Sequence, residues 1–378
     1  MSASQMIYDL IRRHGAISRI DLHRKYEIRA ATVTRITEAL AKNNLICGRG
    51  RDAVPRGRSP ELIKINDSAF HVIGLHPVRS GIRAGIVSSG GKLERFSVLK
   101  TDEIAGKKTF MDSLVKITRE LSRAADSAGF KISGIGVALP GEVDLVSGRL
   151  VQAAVILPGL ENIPCQSHLE KKISLPVVAD HDCAMITGAE ALWGKASGCR
   201  NFGTMFIGQG IGGKFIIDGK LFRGWRNRSG EIGHIPLVRG GTSCACGLKG
   251  CFEALASIPA IERSVPGKHS FEEIVQMAEN GDKASVSALL SAAEYIGEAA
   301  AIIFDILDID RIVINGDIIL AKSIIKDAVV NSIISNTHSK PPSNKEFLQF
   351  SEFGQEAGVL GAASAAVRNA MAGFGISI

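Results

Sequence analysis

Between residues 234 and 251 the chain places His234, Cys244, Cys246 and Cys251. Gly247 and Gly250 stand inside the run Cys244-Ala245-Cys246-Gly247-Leu248-Lys249-Gly250-Cys251. Three thiols in eight residues limit what this segment can become. It is too short and glycine-rich to bury a core of its own, so its order must come from something the side chains hold. Three thiolates and one imidazole form a tetrahedral set that suits structural Zn²⁺ and leaves no open position for catalysis. Ordinary buried or reactive cysteines are the alternative, and crowding beside turn glycines argues against it. The other cysteines, Cys47, Cys165, Cys183 and Cys199, are dispersed within an odd total of 7. That is no disulfide framework, and it predicts a cytoplasmic protein with reduced thiols.

Charge is placed just as unevenly. The 378 residues hold 45 Lys+Arg and 38 Asp+Glu, a net of +7; residues 1–70 alone hold 13 and 7, a net of +6. The remaining 308 residues hold 32 and 31. A small basic module joined to a nearly neutral body follows, and the basic part suggests nucleic acid. Apolar content of 45% with 22% charged residues excludes global disorder. No membrane insertion is expected: the apolar stretch Ala299–Leu307 is interrupted by Asp305 and Asp308. The N-terminus turns charged by Asp9 and Arg12, unlike a signal peptide.

In the basic module, Gln5–Arg13 predicts a helix with Met6, Ile7, Leu10 and Ile11 on one face, stopped by Gly15. Ser18 with Asp21 three residues on predicts an N-cap and a second helix ending near Tyr26. A third helix runs from about Arg29 to Asn43 with Val33, Ile36 and Leu40 inward. Leu45-Ile46-Cys47 predicts a strand, Gly48–Pro60 a turn rich in Gly and Arg, and Leu62–Ile65 a returning strand. This is the winged helix-turn-helix order, whose third helix enters the major groove. Arg29, Thr32, Thr34 and Arg35 are then the candidates for base and phosphate contact. Arg49, Arg51, Arg56 and Arg58 load the wing, as minor-groove readers or as simple phosphate contacts.

Beyond Phe70 the pattern becomes α/β. Strands are expected at His71–Leu75, Ile82–Ser88, Leu93–Val98, Ile132–Leu139, Val177–Ala179 and Arg311–Ile314. Phe202–Ile207 and Lys214–Asp218 flank a glycine-rich turn. Helices are expected at Lys107–Gly129, after Ala179 through Trp193, at about Phe271–Asn280, at Ser285–Leu307 and at Gly354–Ala372. Strands alternating with helices give an α/β architecture. His181, Asp182, Glu231, His234 and Glu253 fall near element ends. Such side chains can bond several hydroxyls at once, as a sugar requires. Singly, each also has an ordinary role as a helix cap or structural histidine.

The helix-turn-helix with its Gly57-Arg58-Ser59-Pro60 wing end, the Gly230-Glu231-Ile232-Gly233-His234 motif and the Cys244–Glu253 motif together resemble the ROK family of repressors, open reading frames and kinases. The resemblance spans nearly the whole chain and is closest to the repressor branch, which includes regulators of glucose, N-acetylglucosamine and xylose genes. It implies a winged helix-turn-helix followed by a two-lobed actin/hexokinase-like (ribonuclease H-like) sugar-kinase fold. It implies domains at 1–68, at 69–178 with 355–378, and at 179–354, the last carrying the zinc loop, sugar cleft and dimerisation surface. Asp182 matches the catalytic base of the kinases, kept here as a vestige. Glu231, His234 and Glu253 match the other hydroxyl ligands, with His234 serving both zinc and sugar.

The departures are informative. Where the kinases carry Asp-Gly-Gly-Thr to hold ATP phosphate, this chain has His76-Pro77-Val78-Arg79-Ser80. Pro77 offers no N–H, and Val78 and Arg79 cannot cheaply take glycine conformations. Gly208-Gln209-Gly210-Ile211-Gly212-Gly213 keeps more of the second phosphate loop, with Gln209 in place of Thr and Lys214 in place of Gly. Asn315-Gly316-Asp317 replaces a glycine-rich adenine turn, and His181 replaces Asn. Phosphoryl transfer depends on positioning and charge stabilisation. The expectation is a sugar-responsive repressor without enzyme activity, acting as a homodimer or tetramer on operator DNA with a monosaccharide or sugar-phosphate effector. The alternatives are an active ATP-dependent sugar kinase with a DNA-binding appendage, and a regulator sequestered by a sugar transporter subunit.

Overall fold

The computed structural model describes residues 3–51, 61–79, 81–100, 106–153, 157, 159–338 and 346–376. The chain forms two compact units, Met1–Met185 with Gly358–Ile378, and Ile186–Ala357. The first unit opens with α1 (Ala3–His14), β1 (Ile17–Ser18), α2 (Arg19–Tyr26), α3 (Ala30–Lys42), β2 (Ile46–Arg51) and β3 (Glu61–Ile65). Ile7, Ile11, Leu22, Val33, Ile36, Leu40 and Ile63 are buried together as the core of this module. Ser18 caps α2, its hydroxyl accepting the Asp21 N–H at 3.0 Å. The sheet order is β1-β3-β2, with Ile17 opposite Ile63 and Ile46 opposite Ile65. These elements form the expected winged helix-turn-helix.

Two details differ from the sequence expectation. The strand expected to end at Cys47 runs to Arg51, because a register shift between Gly48 and Gly50 absorbs one extra residue and pairing continues to Glu61. Arg49 and Arg51 therefore belong to a wing strand, while Arg56 and Arg58 lie outside the described residues. Thr37 is fully buried although polar. Its hydroxyl accepts from Arg19 Nε at 2.9 Å and donates to the Thr34 carbonyl at 3.1 Å. Arg19 also reaches Glu61 at 3.2 Å, so one guanidinium joins the start of α2 to α3 and β3.

The body of the first unit contains β4 (His71–Val78), β5 (Gly81–Ser88), β6 (Leu93–Lys100), α4 (Lys107–Ser127), β7 (Ile132–Leu139), β8 (Gly141–Asp144), β9 (Arg149–Ala153), β10 (Glu161–Ile163), α5 (Cys165–Ile173) and β11 (Val177–His181). Its main sheet has the order β11-β7-β4-β5-β6. β4, β5 and β6 are an antiparallel meander, and β7 and β11 add in parallel. α6 (Asp182–Leu192) follows β11 directly, and the chain passes into the second unit within it.

The second unit contains β12 (Phe202–Ile207), β13 (Ile211–Ile217), β14 (Lys220–Phe222), α7 (Phe252–Ala256), α8 (Ile258–Ser264), α9 (Phe271–Glu279), α10 (Lys283–Leu307), β15 (Arg311–Asn315), α11 (Lys322–Asn336) and β16 (Leu348–Phe350). Its sheet, β14-β13-β12-β15-β16, repeats the order of the first: an antiparallel meander, then two parallel strands. β13 starts at Ile211, three residues earlier than expected, which leaves only Gly208–Gly210 as the turn. α10 is long and apolar enough to cross a bilayer. Here Leu289, Ile296, Ala300 and Phe304 are buried in the core beside residues of α11 and α9.

α12 (Ala357–Gly373) returns the chain to the first unit. At two points it lies backbone to backbone against the sheet. A Cβ on Gly74 of β4 would stand 2.2 Å from the Val359 carbonyl oxygen, and one on Gly136 of β7 would stand 1.8 Å from that of Ala362. Glycine in mid-strand here marks close backbone approach. Gly136→Ala should destabilise the protein by about 1–3 kcal/mol. Gly373→Ala, with nothing within 4 Å, should be neutral or slightly stabilising. Urea unfolding of the two variants checks the contrast.

Candidate metal centre and binding site

The donor atoms of His234, Cys244, Cys246 and Cys251 all lie within 4.8 Å of one another. His234 Nδ1 is 3.9 Å from Cys244 Sγ, and Cys246 Sγ is 3.7 Å from Cys251 Sγ. With Zn–S near 2.3 Å and Zn–N near 2.0–2.1 Å, the edges of a tetrahedral site come to about 3.5–3.8 Å. The donor set therefore fits a zinc ion in size and in kind. The loop shape follows from its glycines. Gly247, at φ 91°, reverses the chain so that the Cys244 N–H meets the Leu248 carbonyl at 2.8 Å. Gly250, at φ 71°, sits where a Cβ would be 1.7 Å from the Val238 oxygen. The Leu248 amide holds the Cys246 thiol below its usual range. Burial, reinforced by the Cys246 and Cys244 sulfurs, pushes Cys251 up to about 12. Sulfurs this close cannot all ionise cheaply alone, and a dication removes that repulsion.

His234 ends a short 3-10 turn, Ile232–His234, that Glu231 begins. Both glycines of the motif are there because β13 presses against them. A Cβ on Gly230 would stand 2.0 Å from the Gly213 oxygen, and one on Gly233 would stand 2.3 Å from that of Ile211. Glu231 is exposed and His234 half-buried. Glu253, on α7, turns a carboxylate oxygen onto the Ile211 N–H at 2.8 Å. On the same turn, Asp317 Oδ2 is 3.5 Å from the place a Gly208 Cβ would take. Two carboxylates thus border Gly208–Ile211, a relation that sequence spacing did not reveal.

His181 and Asp182 belong to the first unit, where β11 meets α6. The Asp182 side chain is 15% exposed. Its Oδ1 accepts the Cys183 N–H at 2.6 Å and lies 3.3 Å from His181 Nδ1; its Oδ2 lies 3.8 Å from His76 Nε2. Burial pushes this carboxyl up, but His181, His76 and the Cys183 N–H outweigh burial and hold it down at about 2. His76-Pro77-Val78 is strand rather than loop: Pro77 faces Ile82 and Val78 faces Gly81. Ser80 lies outside the described residues. His76 is buried, and its room comes from Gly358, where a Cβ would stand 1.9 Å from Nδ1. The contact of His76 with Asp182 was missed from sequence, where the only signal was a histidine at a phosphate-loop position.

The five sugar-site candidates are thus divided, with His181 and Asp182 on the first unit and Glu231, His234 and Glu253 on the second. Among the DNA-binding candidates, Arg29 is the N-cap residue of α3; Thr34 and Arg35 are exposed on that helix and Thr32 is half-buried.

A winged helix-turn-helix, two α/β units of one strand order and a Cys3His loop are the parts of a regulator built on a sugar-kinase frame. The ROK family model matches residues 81–369, and the chain belongs to the ROK family. It is 25% identical to the xylose repressor of Bacillus spizizenii over 95% of this chain and 93% of that protein. It is 26% identical to the DNA-binding transcriptional dual regulator NagC of Escherichia coli, over 87% and 84% respectively. Among solved structures, a ROK family transcriptional regulator described as a homolog of the E. coli MLC protein superposes with a TM-score of 0.81 at 26% identity, covering 98% of this chain and 96% of that one. The ROK hexokinase of Thermus thermophilus superposes at 0.67 with 29% identity, covering 80% of this chain and 100% of its own.

Cys246→Ser should lower bound zinc well below one ion per chain, measured by elemental analysis of the purified protein, with a fall in melting temperature. Asp182 carries a separate pH signature. Its folded pKa is depressed below the ordinary 3.8. It therefore contributes stability above pH 4, on the order of 2 kcal/mol, that is lost as pH falls from about 4 toward 2. The stability gap between the wild type and Asp182→Asn should narrow over that window in urea unfolding at stepped pH.

Proposed function

We propose that this chain is a sugar-responsive DNA-binding transcriptional regulator, a repressor of carbohydrate uptake or catabolism genes, that lacks kinase activity. The observation that carries this is the full-length match to repressors, N-terminal winged module included, on a body that keeps the sugar-site residues. Structural zinc is held by His234, Cys244, Cys246 and Cys251. His181, Asp182, Glu231, His234 and Glu253 bind hydroxyls of a monosaccharide or sugar phosphate. Arg29, Thr32, Thr34, Arg35, Arg49, Arg51, Arg56 and Arg58 contact operator DNA. Domains at 1–68, 69–178 with 355–378, and 179–354 divide these tasks in a cytoplasmic homodimer, with a tetramer as the larger form. Two copies of the basic module suit a pseudo-palindromic operator with half-sites one or more turns, ~34–36 Å each, apart. The effector acts by binding the DNA-competent and released states unequally.

Loss of phosphoryl transfer follows from the chain's own chemistry. A general base works best with a pKa near the operating pH. Asp182, held at about 2, is a poor proton acceptor but a good fixed partner for a hydroxyl donor. Strand residues His76-Pro77-Val78 stand where the kinases hold phosphate, and Asp317 borders the other phosphate turn with negative charge.

The test begins with duplexes selected from a random library by the full-length protein. A panel of monosaccharides and their 6-phosphates is then titrated into the complex and followed by fluorescence anisotropy. At least one sugar should change DNA affinity about tenfold or more, a coupling of about 1.4 kcal/mol. A coupled ADP-release assay over the same panel should show no turnover. Turnover abolished by Asp182→Asn would establish the kinase instead. Failure of every sugar, with release by a transporter subunit, would favour sequestration.

A further inference from the structure

His76 and His181 both depart from the kinase pattern, and the structure turns both onto one aspartate. β4, β7 and β11 are parallel neighbours in the order β11-β7-β4. Leu75 pairs with Val137 and His181 with Leu139, so His76 and His181 lie near one level at the C-terminal ends of their strands. With β7 between them, the two strands are roughly 9–10 Å apart. α6 starts immediately beyond β11, with Asp182 as its first residue and Cys183 as its second. Crevices outside the carboxyl ends of parallel strands are where α/β sheets take ligands.

The donor atoms converge there. One ligand atom each of His181, Asp182 and Cys183 lie within 4.8 Å of one another. His181 Nδ1 is 3.3 Å from Asp182 Oδ1, and His76 Nε2 is 3.8 Å from Oδ2. The Cys183 N–H is shared between Asp182 Oδ1 at 2.6 Å and His181 Nδ1 at 3.2 Å, so one proton serves two acceptors. His76 and Cys183 are 5% and 6% exposed. The His76 ring fits only because Gly358 of α12 leaves room for it. Its buried Nδ1 has no hydrogen-bond partner, and Nε2 is the nitrogen turned toward Asp182.

We propose that His76, His181, Asp182 and Cys183 form a second transition-metal site, separate from the Cys3His loop. Two imidazoles, a carboxylate and a thiolate favour zinc, cobalt or nickel over magnesium or calcium. Bonds of about 2.0–2.2 Å around a tetrahedral ion put neighbouring N and O ligands about 3.3 Å apart. His181 and Asp182 already stand at that distance, and His76 needs to close by about 0.5 Å. The His181 side chain, 27% exposed, gives an ion its way in. The ion is held less tightly than one clamped by three thiolates. A ligating histidine usually donates its other N–H to an acceptor, and His76 Nδ1 faces none. The Cys183 thiol must also release its proton to bind. Both costs make this an exchangeable ion of micromolar affinity rather than a permanent structural one.

The test uses the full-length protein with its Cys3His loop loaded with zinc, dialysed into metal-free buffer and titrated with Co²⁺. A further ion per chain should bind with a micromolar Kd and give the visible absorption of tetrahedral cobalt. A thiolate charge-transfer band in the near ultraviolet should accompany it and vanish in Cys183→Ser. Zinc content by elemental analysis should stay at its starting value, which keeps exchange within the loop out of the signal. His76→Gln retains a hydrogen bond to Asp182 while removing the imidazole. That variant and His181→Ala should each weaken Co²⁺ binding about tenfold or more, with circular dichroism unchanged in the absence of cobalt. Excess Mg²⁺ should not compete. Uptake of no further ion overturns the proposal, as does uptake that both histidine variants match at wild-type affinity. So does cobalt binding that Cys246→Ser abolishes and the histidine variants keep, which assigns the ion to the loop.

Discussion

Two carbonyl oxygens of α12 occupy the space that side chains of β4 and β7 would fill. At Gly74 and Gly136 the helix backbone touches the strand backbone, and much of the first unit follows from that contact. Seated so low, α12 brings Gly358 against His76, where only a hydrogen leaves room for the imidazole. His76 in turn lies beside Asp182 and, with His181, draws its carboxyl down against the pull of burial. A glycine on one helix thus helps set the basicity of an aspartate on another. Packing this close transmits small displacements rather than absorbing them.

The second unit reaches its chemistry by a similar route. β13 runs so near the Ile232–His234 turn that two positions of the motif must be glycine. That holds His234 where its Nδ1 meets the thiol cluster. The Cys244–Cys251 loop makes few contacts through large apolar side chains, and Leu248 in it is exposed. A metal ion would substitute for a core there, because each ligand bond would fix loop backbone that burial does not. Glu253 follows the last thiol by two residues, so the loop also sets where its carboxylate meets the Ile211 amide.

Signals confined to neighbouring residues were legible in the sequence. The Ser18 cap, the apolar face of α3, the strand Ile132–Leu139 and the His-Cys set all lie in local patterns, and the structure has them. The strand order of the two sheets was not legible, since periodicity does not report pairing. β8 to β10 passed unread because strands of three to five residues with charged positions leave no clear alternation. α11 was missed because Ile324, Ile325, Val329, Val330, Ile333 and Ile334 spread its apolar residues around the helix. The meeting of His76 with Asp182 was illegible for a different reason: it joins positions over a hundred residues apart through a contact only the sheet creates. Nor does any local pattern report that Thr37 is buried and bonded to Arg19, eighteen residues earlier.

The two ends of the chain's chemistry show how a kinase frame can become a sensor with few changes. Catalysis needs a base that gains a proton at working pH, phosphate turns with free amides, and neutral or positive surroundings for the triphosphate. Recognition needs only fixed acceptors and donors at the right places. Held down by His181 and His76, Asp182 meets the second requirement, because a carboxylate that stays ionised accepts hydrogen bonds at every physiological pH. Glu253, tied to the Ile211 amide, and Asp317, beside Gly208, set carboxylates along the Gly208–Ile211 turn. Binding energy that a kinase spends on its transition state would, in a regulator, have to separate two conformations, which is the physical requirement for a ligand to control DNA binding.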